Sequence, residues 1–313
     1  SLLTLADIAK INDVSVRDMG ATDIFNRAPF ISAIAVQEAS HGTEHKYVKE
    51  TGAPTVGFRA PNTGRSRSKS GDTSVTETLK YLDCAFHMDK AIAGSNPKGV
   101  DYVMAREGRR HLRAGFAAAE RQIFDGTGSD ALGYAGLRDN AGLNGLNDAM
   151  VINAGYTTAG QPKNDVWLIR VDMDTDVCLL IGNGGNLKID PYYEQAVTDG
   201  SGNLFQAFVQ DCSAWLGLQI AGAKSIARIC NINANAGATA NILTDSLLEQ
   251  AFELFPSEAP PTHIVTHRRM VSQLKRSRTA TRADGQAAPR PEDYEGIPIV
   301  MTDNLTTYTT AIA

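Results

Sequence analysis

A long excursion whose end has nothing to bury constrains this chain more than any other feature of its sequence. Residues 61–71 read Pro-Asn-Thr-Gly-Arg-Ser-Arg-Ser-Lys-Ser-Gly, without one hydrophobic side chain. They lie between two runs of strand chemistry: Tyr47, Val48, Val56 and Phe58 before them, and a return from Thr73 to Asp89 carrying Leu79, Tyr81, Leu82 and Phe86. Aromatic and β-branched residues favour strands, and a Gly- and Asn-bearing break between two such runs favours a hairpin. The pattern predicts a long hairpin over 46–93 whose tip cannot be buried in its own domain. Four cations, Arg59, Arg65, Arg67 and Lys69, decorate it. Like charges held this close repel, so the tip is expected to lie against acidic residues of an adjacent subunit. The plainer alternative is a solvated loop.

The segments on either side are organised differently. Thr4 stands three residues before Asp7, a capping-box spacing, and the first 45 residues predict a thin arm whose helical pattern ends at Asn26-Arg27-Ala28-Pro29. With few apolar residues of its own, such an arm must lie on something else. Pro97 and Gly99 open the longest helical pattern, which runs to Phe124 and closes at Gly126, with Leu112, Phe116, Ala119 and Ile123 on one stripe. Arg106, Arg109, Arg110 and Arg113 give this helix a basic face, either solvated or turned to a neighbouring subunit or a packaged polyanion. Beyond a Gly- and Asn-rich stretch, strand signals dominate to Ile232: 166–171 alternates, Val177–Ile181 is a compact apolar run, and 215–220 alternates again, together predicting an antiparallel sheet. The remainder predicts a helix through Leu243, Leu247, Ala251 and Leu254 stopped by Pro256, a short strand at 262–266, a basic helix over 268–278 and an edge-type strand at 297–301 containing Pro298.

Composition excludes several classes. The 313 residues hold 30 Lys and Arg against 35 Asp and Glu, a net −5, which argues against a dedicated duplex-DNA binder. No apolar run reaches the roughly 18 residues of a membrane span, and Asp7 and Lys10 interrupt any secretory signal, so a soluble, cytoplasmically made chain is expected. Cys84, Cys178, Cys212 and Cys230 have no metal or redox spacing and read as buried free thiols.

Catalytic motifs are not found. His41 and His45 share the outer spacing of a zinc-protease helix, but Glu44 is misplaced and Gly42 weakens the helix. His263 and His267 fall in strand context, about 13 Å apart. Asp172, Asp174 and Asp176 alternate like calcium ligands but lack the glycine and closing glutamate of an EF-hand. Gly182-Asn183-Gly184-Gly185 is not a dinucleotide fingerprint. The expectation is no enzyme, no cofactor and no metal.

Particular strings carry a resemblance: Thr4–Lys10 (TLADIAK), Thr51–Arg59 (TGAPTVGFR), Val166–Ile169 (VWLI), Arg228–Ile232 (RICNI) and Glu295–Val300 (EGIPIV), in the order arm, hairpin, long helix, Gly136-Leu137-Arg138, sheet and compact end. In these the chain resembles the major capsid proteins of tailed bacteriophages, the Hong Kong 97-type fold. The resemblance implies an α+β fold with an N-terminal arm (1–45), an extension-loop β-hairpin (46–93), a peripheral domain (94–235) with a spine helix over 98–125 and an antiparallel sheet, and an axial α/β domain (236–313). It implies hexamers and pentamers of an icosahedral virion shell around double-stranded DNA, assembled in the host bacterial cytoplasm. The partners implied are copies of the chain itself, portal, scaffolding or cement proteins, and DNA held weakly and nonspecifically, with no membrane. An encapsulin-like compartment shell holding enzyme cargo is the second reading, and a soluble enzyme with an unrecognised site the third.

Overall fold

The computed structural model describes residues 27–52, 54–173, 178–183, 188–222, 224–282 and 286–313. Among them the chain forms β1 (Ala35–Glu38), β2 (Glu44–Gly52), β3 (Gly71–Thr78), β4 (Lys80–Asp83), β5 (Phe86–Asp89), α1 (Lys90–Gly94) and α2 (Val100–Asp125). There follow β6 (Val151–Asn153), β7 (Lys163–Ile169), β8 (Cys178–Gly182), β9 (Lys188–Ile189), β10 (Tyr193–Thr198), β11 (Leu204–Gln210), β12 (Cys212–Ile220) and β13 (Ile226–Asn233). The last part holds α3 (Asp245–Phe252), β14 (His263–Thr266), α4 (Arg268–Ala280), β15 (Asp293–Tyr294) and β16 (Ile297–Met301).

Four sheets result. A six-stranded sheet runs β15-β16-β14-β7-β13-β6; a second runs β1-β8-β12-β4 with β9 also on β12; a third is β10-β11-β5; and β2-β3 stands alone as the hairpin. The alternation expected over 166–171 does not mark a half-buried face: every residue of β7 and of β13 is buried. These are central strands covered on both sides, where period-2 contrast has no solvent to report. Nor is the sheet wholly antiparallel, because β6 runs parallel to β13, β16 to β14, and β1 to β8. The expected single sheet over 166–232 is in fact divided, with β7 and β13 in one sheet and β8 and β12 in another, and the chain crosses between them after Ile169.

Both large sheets close on one core. Trp167, Leu168 and Ile229 from the first meet Leu180 and Leu218 from the second, with Ile123 and Phe124 of α2, Leu248 of α3 and Met270 and Leu274 of α4. Phe30, Ile31 and Ile34 join the same core, and the Phe30 ring lies 5.2 Å from that of Phe124. No helix continues past the expected break at Asn26-Arg27-Ala28-Pro29: Pro29 and the burial of Phe30 favour a turn that plugs the core, followed by β1. The expected arm before residue 27 lies outside the described residues, as do Asp174, Asp176 and the Gly184-Gly185 pair.

α2 is about 39 Å long at 1.5 Å per residue over its 26 residues. Its first half buries only Val103 and Met104, whereas from Leu112 onward it buries nine residues. It begins on the surface as a strut and ends as part of the core. Gly126 ends it with φ +55° and ψ −133°, a region open only to glycine and distinct from the left-handed helical one common at helix ends. A Cβ there would lie 2.4 Å from the Gly136 nitrogen, so the backbone needs the space as well as the angle.

Candidate assembly surfaces and the lock beneath them

The hairpin is shorter at its base than the sequence suggested and freer at its tip. β2 and β3 pair from Glu44 with Thr78 up to Gly52 with Gly71. The return run then breaks at Leu79, which is buried, and continues as β4 on β12 and β5 on β11. Leu79 thus marks where the excursion rejoins the body. At the base, His45 is buried with Nε2 2.6 Å from Gln219 Oε1, while its Nδ1 accepts from the Ser40 amide at 3.2 Å. His41 Nδ1 lies 2.8 Å from Ser40 Oγ. The two rings are thus used to fasten the hairpin root.

Beyond Gly52 the strands part. Thr55 and Ser68 exchange hydrogen bonds at 2.7 and 3.0 Å, Arg59 Nη1 donates to the Thr63 carbonyl at 3.0 Å, and the Arg65 guanidinium lies across Gly57. Arg67 and Lys69 are exposed, and among the described residues none of the four tip cations has an ion-pair partner. The tip also bears apolar residues that counting from Pro61 overlooked: Val56 is 86% and Phe58 107% exposed. Two uncovered apolar side chains beside four unpaired cations form an amphipathic end with no partner in its own chain.

On α2, Arg106, Arg109, Arg110 and Arg113 fall at helical intervals on one face. Arg106 and Arg110 are exposed, Arg109 and Arg113 half-buried, and Arg110 pairs with Glu107 at 3.1 Å. The helix thus partly neutralises its own basic face, which the tip does not.

Beneath these surfaces lies a charged cluster that the sequence did not disclose. Asp165, buried in β7, accepts from Arg138 Nε at 2.9 Å, Arg228 Nη2 at 2.7 Å and the Tyr308 hydroxyl at 2.7 Å. Arg138 also donates to Asp125 at 2.5 Å and to the Thr306 carbonyl at 2.9 Å, and Arg228 to the Leu143 carbonyl at 2.9 Å. Burial tends to raise the Asp165 carboxyl, but Arg138 and Arg228 outweigh it and hold it below the ordinary carboxylate range. A second buried carboxylate, Glu120, accepts from the Phe30 and Ile31 amides at 2.8 and 3.1 Å, from Asn304 at 3.0 Å and from the Thr302 hydroxyl. Together these groups fasten residues 30–31, the end of α2, both central strands and the 302–308 segment. Charges removed from water stay buried only when such partners surround them.

No chemistry is organised in this arrangement. Among the described residues no three His, Cys, Asp or Glu are placed to hold a metal, and no helix is long and apolar enough to cross a membrane. The four cysteines are buried and unpaired as disulfides, and burial pushes the Cys178 and Cys230 thiols up to about 12, out of nucleophilic range near neutrality. His263 shares a hydrogen bond with Thr262, and His267 caps α4.

A long half-exposed helix, a projecting hairpin and a body built on two large sheets together make the phage-capsid fold. A chain of the bacteriophage Epsilon15 structure superposes with a TM-score of 0.66 at 20% identity, over 89% of this chain and 88% of that one. A chain of the bacteriophage JBD30 capsid gives 0.52 at 11% identity, over 90% of each. A search of curated sequences found no match. The family described as major capsid protein GP7 matches residues 23–313, and the chain belongs to it. It is a tailed-phage major capsid protein, a structural and non-enzymatic component of the virion capsid.

Proposed function

We propose that the chain closes into an icosahedral shell of hexamers and pentamers, assembled in the host cytoplasm, in which the hairpin tip of each copy is covered by an adjacent copy. The observation that carries this is the amphipathic tip. Burying a phenylalanine is worth about 1.5–3 kcal/mol, so Phe58 and Val56 supply attachment energy, while Arg59, Arg65, Arg67 and Lys69 select an acidic surface. The tip is therefore anchored by both kinds of contact, where the sequence suggested charge alone.

The extension segment in this reading is 46–93, the peripheral part 94–235 with α2 as its spine, and the axial part 236–313. β14 hydrogen-bonds to β7 across the last boundary, so the axial part is built onto a sheet begun earlier in the chain. Portal, scaffolding or cement proteins complete the particle, and double-stranded DNA is enclosed by weak contacts without sequence preference.

Light scattering and negative-stain imaging test the proposal. The parent protein should give closed shells, and Phe58→Ser should leave soluble, folded capsomers that close only at protein concentrations about tenfold higher or more. A parent that stays monomeric or dimeric under every salt and pH condition would remove the shell reading. Shells from Phe58→Ser at the parent's concentration would remove the tip's part in it.

A further inference from the structure

Residues 259–283 contain Arg268, Arg269, Lys275, Arg276, Arg278 and Arg282 and not one Asp or Glu, within a chain whose net charge is −5. The fold sorts these six cations. Arg278 is held by Asp245 at 2.7 Å, Arg269 donates to the Ala234 carbonyl at 2.8 Å and Arg276 to that of Ala238 at 3.2 Å. Arg268 and Lys275 stand seven residues apart on the exposed stripe of α4, away from the buried Met270 and Leu274. Beside the stripe is a groove of about 470 Å³ lined by Arg268, Val271, Ser272, Lys275, Arg290 and Met301. Arg290 faces α4 from across it, its guanidinium 2.9 Å from the Met301 sulfur. Among the described residues, Asp303, half-exposed, stands 3.7 Å from Arg268, a distance at which a surface pair contributes little.

We propose that this groove is a binding track for the phosphate backbone of double-stranded nucleic acid. Seven residues of helix advance about 10 Å, and one DNA strand places a phosphate every 3.4 Å or so, so Arg268 and Lys275 meet phosphates about three apart. Cations on both walls of one groove suit a continuous polyanion. An acidic protein segment is less well served, because Val271 is buried and Met301 half-buried, which leaves little apolar surface on which a side chain could anchor. The contact reads no bases and is set by counterion release, so it deepens, and rests on, the reading that the shell encloses double-stranded DNA. It places that contact on α4 and not on the basic face of α2.

Fluorescence anisotropy of a labelled duplex against the full-length protein, over a range of salt, tests this. Replacing Arg268, Lys275 and Arg290 together by Gln should weaken low-salt binding about tenfold or more and flatten the log–log salt dependence by roughly two to three units; Lys275→Gln alone should flatten it by about one. The corresponding Gln triple at Arg106, Arg109 and Arg110 should bind within about twofold of the parent. Circular dichroism confirms folding, and imaging scores shells separately. Shells with unaltered duplex binding by both groove variants would overturn the track alone, and so would polyglutamate competing as well as unlabelled duplex, which would indicate an acidic protein partner. Groove-dependent binding by a parent that never forms shells would keep the track and remove the enclosure reading.

Discussion

The hairpin and the Asp165 cluster are opposite solutions to carrying charge. At the tip, four cations stand in water without carboxylates, next to an uncovered Phe58. Around Asp165, two guanidinium groups, a carboxylate and a phenol are removed from water, each held by the others. Water screens the first group, so losing its charges costs the monomer little. The second is held only by mutual pairing, so removing one member leaves the rest stranded. The cluster therefore governs whether one chain folds, and the tip governs what the folded chain does with its neighbours.

Breaking the cluster should have the largest effect. Asp165→Asn keeps the shape but removes the charge between Arg138 and Arg228, and should cost about 3–5 kcal/mol in urea-induced unfolding. Because the folded-state Asp165 carboxyl is held below its ordinary value, its contribution is fully present above about pH 4 and is lost as pH falls through the depressed value. Parent stability should decline there, and Asp165→Asn should flatten the decline. Unfolding free energies equal to the parent's would show that the cluster is dispensable.

Gly126→Val comes next. The branched side chain meets a forbidden angle and a backbone nitrogen 2.4 Å from its Cβ, a loss of about 1–3 kcal/mol at least. An unchanged melting temperature would mean that α2 can end another way.

Smallest in the monomer, and sharpest for the comparison, is the reversal of Arg65, Arg67 and Lys69 to Glu. Folding stability should stay within about 0.5 kcal/mol of the parent, whereas shell formation should weaken at low salt and recover partly at 1 M, where screening acts within about 3 Å. Full recovery is not expected, because Phe58 and Val56 are untouched. Assembly as good as the parent's at low salt would reduce the cations to a solvated loop.

Local signals in the sequence were read well where the neighbours that matter are close in the chain. The long helix between Gly99 and Gly126 and the basic helix that became α4 rest on contacts a few residues apart and on punctuation by Pro and Gly, whereas the hairpin expected over 46–93 pairs only within 44–78, between residues as distant as Glu44 and Thr78. β16 is not the edge strand that Pro298 suggested, because β15 pairs outside it at Pro298 and Ile297 while Ile299–Met301 pair with β14 on the other side. What was not legible depended on distant partners. The return strand looked continuous because nothing local marks Leu79 as the point where the chain enters the core. β7 looked half-buried because its covering layers, α2, α3 and α4 and the second sheet, come from elsewhere in the chain. Nothing local marks Phe58 as exposed, because a phenylalanine in a strand-like run is ordinarily inward-facing.

By itself, then, the sequence determined that this chain carries an excursion it cannot bury, a long helix beside it, little net charge and no catalytic pattern, since periodicity, turn residues and composition act over short distances. Only the tertiary structure decided which sheet each strand joined, that Arg138, Asp165, Arg228 and Tyr308 would meet, and which of the α4 cations would face solvent. Arg138 and Asp165 are 27 residues apart, and Arg138 and Thr306 are 168 apart. Charges that far apart in sequence are brought together only when the apolar core closes around them, and the loss of solvent then makes their pairing obligatory.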